Sequence, residues 1–100
     1  MTQEKDIEAY LKKQLSLIGG VCWKFTSPGT AGVPDRIVLV KNMICFVELK
    51  RPKGGRLSEV QKIRRLQLDG LGAHVYLINT KEKADKFCIY LALGKYPDEV

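Results

Sequence analysis

The sequence predicts an α/β fold with elements in the order α-β-β-β-α-β-α, and three observations carry the prediction. Its 100 residues suffice for one hydrophobic core, so residues 1–100 read as a single domain. Apolar residues recur at helical spacing in two stretches, from Ile7 to Ile18 and from Val60 to Leu71. Two nearly continuous apolar runs, Ile37 to Val40 and Met43 to Val47, are separated only by Lys41-Asn42, the pattern of paired strands.

The first helix follows from Ile7, Tyr10, Leu11, Leu15 and Ile18, with Glu4, Glu8, Lys12 and Lys13 between them and Gly19-Gly20 to end it. Val21 to Phe25 is rich in β-formers and reads as a short strand. It runs into a loop from Ser27 to Pro34, where Pro and Gly break any regular element. The runs at 37–40 and 43–47 are expected to form an antiparallel hairpin of central strands covered on both faces. Arg51 to Arg56 is a basic turn, after which Ser58 caps a helix carrying Val60, Ile63, Leu66 and Leu71, closed by Gly70 and Gly72. Ala73 to Ile78 reads as a strand. Thr80 opens a last helix through Ala84, Phe87, Cys88 and Leu91, and Pro97 to Val100 is expected to fray.

Hydrophobic residues at 45% and charged residues at 28% place the chain among globular proteins. No apolar run approaches the roughly 20 residues of a membrane span, and no signal-type segment follows the first residues. A cytoplasmic protein without a membrane partner or small-molecule cofactor is expected. Cys22, Cys45 and Cys88 are odd in number and set in apolar segments, which fits reduced core thiols rather than a disulfide framework or a zinc site. Seventeen Lys and Arg against eleven Asp and Glu give a net charge of +6. Between Lys41 and Arg65 eight cations face only Glu48 and Glu59, so a polyanionic partner is indicated.

Charges avoid central strands, yet Asp35 opens one apolar run and Glu48 with Lys50 closes the next. Residues two apart on a strand share a face, which puts Glu48 and Lys50 together. With Lys41-Asn42 as a two-residue turn, Asp35 lies directly opposite Glu48; with a three-residue turn the two are diagonal neighbours. Either way two carboxylates and an ammonium meet at the open end of the hairpin. Such oxygens suit Mg²⁺ or Mn²⁺, and a hard dication beside a lysine is what phosphodiester hydrolysis requires. The alternative reading is a structural Glu48–Lys50 ion pair.

Gly32-Val33-Pro34-Asp35-Arg36, then Phe46-Val47-Glu48-Leu49-Lys50-Arg51-Pro52, then Ser58-Glu59-Val60-Gln61 resembles the virus-type replication-repair nuclease (VRR-NUC) family of the PD-(D/E)XK nucleases. The likeness runs from the first helix to the strand ending at Ile78. It implies a restriction-endonuclease-like core, a mixed sheet flanked by helices. It also implies that Asp35, Glu48 and the backbone carbonyl of Leu49 bind metal, that Lys50 is the catalytic lysine, and that Gln61 supports the site. Ser58 to Gln61 also has the form of a capping box, and the two roles of Gln61 are compatible. Related nucleases often add a glutamate from the first helix, here Glu4 or Glu8. Glu8, one turn before Leu11, matches the placement in similar Holliday-junction resolvases; otherwise it is a solvated helix residue.

Arg36, Arg51, Lys53, Arg56, Arg64 and Arg65 flank the site and are expected to contact phosphates, which positions DNA without reading its sequence. The loop from Ser27 to Gly32 either closes on DNA or is only a connection. His74 reads as structural and Trp23 as core or interface. The stand-alone members of the family resemble Holliday-junction resolvases. The expected function is therefore a Mg²⁺-dependent endonuclease, with Mn²⁺ substituting, that cuts four-way junctions as a homodimer in a bacterial or phage-infected cell. One rival is a nuclease for flaps, nicks or ordinary duplex; another is a non-catalytic DNA-binding module.

Overall fold

The computed structural model describes residues 2–100. The elements are α1 (Glu4–Leu17), β1 (Val21–Lys24), β2 (Arg36–Val40), β3 (Met43–Leu49), α2 (Glu59–Gly70), β4 (Val75–Ile78) and α3 (Lys81–Ala92), in the expected order. The four strands form one mixed sheet in the order β1-β2-β3-β4. β1 pairs with β2 and β2 with β3 antiparallel, and β4 joins β3 in parallel after the crossover through α2. No helix among the described residues is long and apolar enough to cross a membrane.

The β2–β3 register pairs Arg36 with Val47 and Val40 with Met43, so the turn is the two-residue Lys41-Asn42. Asn42 adopts φ 63°, a left-handed conformation that asparagine tolerates better than most residues. Alternation along the strands then decides the faces. Val38, Cys45, Val47, Leu49 and Ile78 are buried beneath α1 and α3, which contribute Ile7, Leu11, Leu15, Phe87 and Leu91. The Tyr76 and Phe87 rings pack at 5.2 Å, and the Tyr10 hydroxyl donates to Asp85 across the two helices. The three cysteines are free and buried; burial pushes the Cys22 and Cys88 thiols up to about 11 and Cys45 up to about 12.

The opposite face departs from expectation. α2 buries none of its residues: Ile63 and Leu66 are more than half exposed, as is Leu71 just past its end. The central strands are therefore covered fully on one face and only partly on the other. Trp23, expected in a core or interface, is 58% exposed. The C-terminal tail is docked rather than frayed, because the buried Tyr76 hydroxyl donates to the Pro97 carbonyl at 2.7 Å and Val100 packs against the core. His74 stacks on Tyr96 with ring centroids 3.7 Å apart, in keeping with a structural role.

Candidate active site

The hairpin register continues from Arg36–Val47 to place Asp35 beside Glu48 at the end of the sheet, on the face away from α1 and α3. Asp35 accepts a hydrogen bond from the Leu49 backbone N–H at 3.3 Å, which ties its carboxylate to the end of β3. Glu48 is only 5% exposed and is the sole buried charged residue among those described. Burial, then the neighbouring Asp35 carboxylate, push its carboxyl up to about 7, while Lys50 pulls the other way. Burial likewise raises Asp35, against the stabilising Leu49 N–H and Arg36. Burial thus favours the protonated form of both acids, and a nearby positive charge would favour the ionised form.

Gln61 reaches this pair from α2. Its Nε2 donates to Glu48 Oε1 at 2.5 Å, and its Oε1 accepts from the Ser58 N–H at 2.8 Å. Its own N–H donates to Ser58 Oγ at 3.2 Å, closing the capping box. One amide thus caps α2 and holds Glu48. The first turn of α2 is set against the loop before β2 by Gly32, which sits at φ +81°; a Cβ there would lie 2.6 Å from the Val60 carbonyl oxygen. Arg64 fastens the same loop, since its Nε donates to the Ala31 carbonyl at 2.8 Å.

The first-helix acids are used differently from each other. Glu8 is engaged by the Nε and the second guanidinium nitrogen of Arg36, and Arg36 also donates to the Asp35 carbonyl at 2.8 Å. Arg36 shares strand parity with buried Val38 and so points to the α1 side, with its guanidinium 4.0 Å from the Asp35 carboxylate. Glu8 and Arg36 thereby compensate each other, one expected at a metal and the other at a phosphate. Glu4, one turn earlier, adds its negative charge to both Asp35 and Glu48 and lines a cleft with Lys50, Arg51 and Arg56. The parity of Arg36 is readable from the sequence and points to an acid on α1 as its partner.

The remaining cations divide. Arg51, Lys53 and Arg56 are exposed on the turn after β3, and Arg65 lines a small pocket with Glu48 and Gln61. Arg64 is occupied by the loop and by Gln67. Two facing carboxylates, a half-buried lysine two residues on and a cationic rim can hold a divalent ion and a phosphate side by side.

A curated phage protein, "Putative nuclease p44" of Acyrthosiphon pisum secondary endosymbiont phage 1, is 37% identical over 83 residues, spanning 82% of this chain and 88% of that protein. A solved structure described as "VRR_NUC domain" superposes with a TM-score of 0.81 at 25% identity, covering 90% of this chain and 98% of that one. No protein-family model matches the chain.

Proposed function

The chain belongs to the VRR-NUC family of nucleases, and from that premise we propose that it is a divalent-metal-dependent DNA endonuclease selective for four-way junctions. The observation that carries the chemistry is the Asp35–Glu48 pair. Burial raises both carboxyls, more than the Leu49 N–H and Arg36 lower Asp35 and more than Lys50 lowers Glu48, which Asp35 raises further, and a dication between them relieves both. The donor set therefore fits a hard metal, held by Asp35, Glu48 and the Leu49 carbonyl with Glu4 within electrostatic reach. Bound there, Mg²⁺ supplies Lewis-acid neutralisation of the scissile phosphate and makes nearby water more acidic; Mn²⁺ has suitable ligand chemistry to substitute.

The chain's own groups do the rest. Gln61 anchors the Glu48 carboxylate, and the Leu49 N–H anchors that of Asp35. Lys50 orients the attacking water or stabilises the negative charge that builds on phosphate oxygens as water adds to phosphorus and the P–O bond to the leaving strand breaks. Arg51, Lys53, Arg56 and Arg65 hold flanking phosphates, giving affinity without sequence readout. A chain with one such site cuts one strand, so paired cuts across a junction take two copies related by a two-fold axis.

The test is cleavage of a labelled four-way junction in Mg²⁺, beside Lys50→Ala and a linear duplex of the same sequence. Paired symmetric nicks in the junction alone, lost in the variant, are expected. Equal cutting of duplex refutes junction selectivity in favour of a general nuclease. Junction binding without metal-dependent cutting refutes catalysis.

A further inference from the structure

α2 takes hold of both acids. Gln61 binds Glu48 at 2.5 Å, and the loop that ends at Asp35 meets the same helix in two places. Gly32 lies so close to it that a Cβ would stand 2.6 Å from the Val60 carbonyl oxygen. One turn further along, Arg64 donates from Nε to the Ala31 carbonyl at 2.8 Å and from Nη1 to Gln67 Oε1 at 2.6 Å. Among the described residues, Arg64 supplies the one hydrogen bond that joins residues 26–34 to the rest of the chain. α2 buries none of its own residues, so contacts of this kind set its position more than a packed face does.

We propose that Arg64 is a positioning residue of the metal site: by holding the Ala31 carbonyl it sets the loop that places Asp35 opposite Glu48. The link between the two is stiff. Pro34 has a fixed φ and confines Val33 to extended backbone, so from Val33 to Asp35 the chain moves nearly as one piece. Gly32, at φ +81°, is the joint, and without the Arg64 bond only its contact with Val60 restrains it. The Leu49 N–H holds Asp35 from the strand side at 3.3 Å, beyond the usual hydrogen-bond length. A dication needs both carboxylates at once, and groups behind the ligands keep that geometry; losing one costs about 10- to 100-fold in metal affinity or activity. This role rests on the reading of a metal-dependent nuclease, although the placement of Asp35 is measurable without metal or DNA.

A phosphate contact is the competing use of this guanidinium. Two of its three nitrogens are instead engaged within the chain, while Arg65, the next residue, lines the pocket beside Glu48 and Gln61 and is better placed for DNA. The two uses ask for different chemistry. A carbonyl takes an N–H whether or not it is charged, whereas a phosphate contact in water depends on the charge.

Arg64→Gln and Arg64→Met divide these uses, with thermal melts to confirm that both fold. A glutamine amide nitrogen stands as many bonds from Cα as the arginine Nε, so it can still donate to Ala31 without charge; methionine reaches as far and offers no donor. In chelator, the Leu49 amide reports on Asp35 through the bond between them and is followed by ¹H–¹⁵N NMR. Arg64→Gln is expected to leave its shift and exchange rate as in wild type. Arg64→Met is expected to move the shift and speed the exchange, with the amides of α1 and α3 unchanged. The Mg²⁺ concentration for half-maximal junction cleavage should rise about 10-fold in Arg64→Met and stay within about twofold in Arg64→Gln. The slope of log affinity against log salt should be unchanged in both. A Leu49 amide that ignores Arg64→Met overturns the proposal. So does a rise in metal requirement that is alike in both variants, or a salt slope lowered by about one, the mark of a lost phosphate contact. A wild type that never cuts with metal sinks the nuclease reading instead, and the Leu49 amide still decides whether Arg64 positions Asp35.

Discussion

Glu48→Gln is expected to make the metal-free protein more stable at pH 8 while abolishing cleavage. The Glu48 carboxyl is 5% exposed and pushed up to about 7 from the usual 4.5, first by burial and then by Asp35. The folded chain therefore binds this proton more tightly than the unfolded one. The resulting stabilisation is complete below pH 4.5 and is lost as pH rises through about 7. At about 1.4 kcal/mol per pH unit the full loss is about 3 kcal/mol, and sharing the proton with Asp35 brings the expected difference to about 2 kcal/mol. Glutamine is neutral at every pH, can still accept from Gln61 Nε2, and can offer an N–H toward Asp35. Urea unfolding in chelator should show the variant ahead by about 2 kcal/mol at pH 8, with the gap closing toward pH 4.5. Adding Mg²⁺ should stabilise wild type by mass action and leave the variant behind. A variant less stable than wild type at pH 8 in chelator, or a gap that ignores pH, refutes the argument.

Lys50→Ala should lower the rate of junction cleavage by about 10²-fold or more with the melting temperature and junction affinity little changed, read by single-turnover cleavage and filter binding. Gln61→Ala removes both the α2 cap partner and the Glu48 anchor; urea unfolding should show a loss of about 1–2 kcal/mol, and cleavage should fall with it. Glu8→Gln and Glu4→Gln should separate cleanly. The first leaves the mostly buried Arg36 without its anion and should cost about 1–3 kcal/mol in an unfolding titration. The second should leave stability nearly unchanged or slightly raised and weaken Mg²⁺ activation, measured as the metal concentration for half-maximal cleavage. Gly32→Ala, forced to φ +81° with its Cβ against the Val60 carbonyl, should cost about 1–3 kcal/mol by the same unfolding titration.

The hairpin and its acids were legible because strand chemistry is local. Two apolar runs two residues apart leave few registers, and each brings Asp35 and Glu48 together; the two-residue turn then makes them direct neighbours. α1 and α3 were legible for a similar reason, since their apolar stripes meet a sheet that needs covering. α2 was not. Periodicity at Val60, Ile63 and Leu66 shows that a helix has an apolar side and says nothing about what that side meets, and here it meets solvent. The docking of the tail was hidden too, because a single buried hydroxyl, that of Tyr76, captures the Pro97 carbonyl across the fold. The Glu8–Arg36 pair was not legible from helix spacing, because it depends on which α1 acid lies opposite a strand cation of inward parity.

Strand alternation divides the labour of this small chain. On β2 and β3 one parity, Val38 with Cys45, Val47 and Leu49, forms the core, and the other, Asp35 with Ile37, Phe46 and Glu48, faces the function. The site's acids are costly to bury, and the fold tolerates them because the opposite face of the same strands is fully packed. Arg36 is the exception that links the two sides: its side chain lies with the core, while its guanidinium binds Glu8 and the Asp35 carbonyl. The position of Asp35 is therefore set from both faces of the sheet, by the Leu49 N–H on its own side and by the α1–Arg36 pair on the other. Pre-positioning of this kind is what a two-carboxylate site requires, because its members repel each other until a cation arrives.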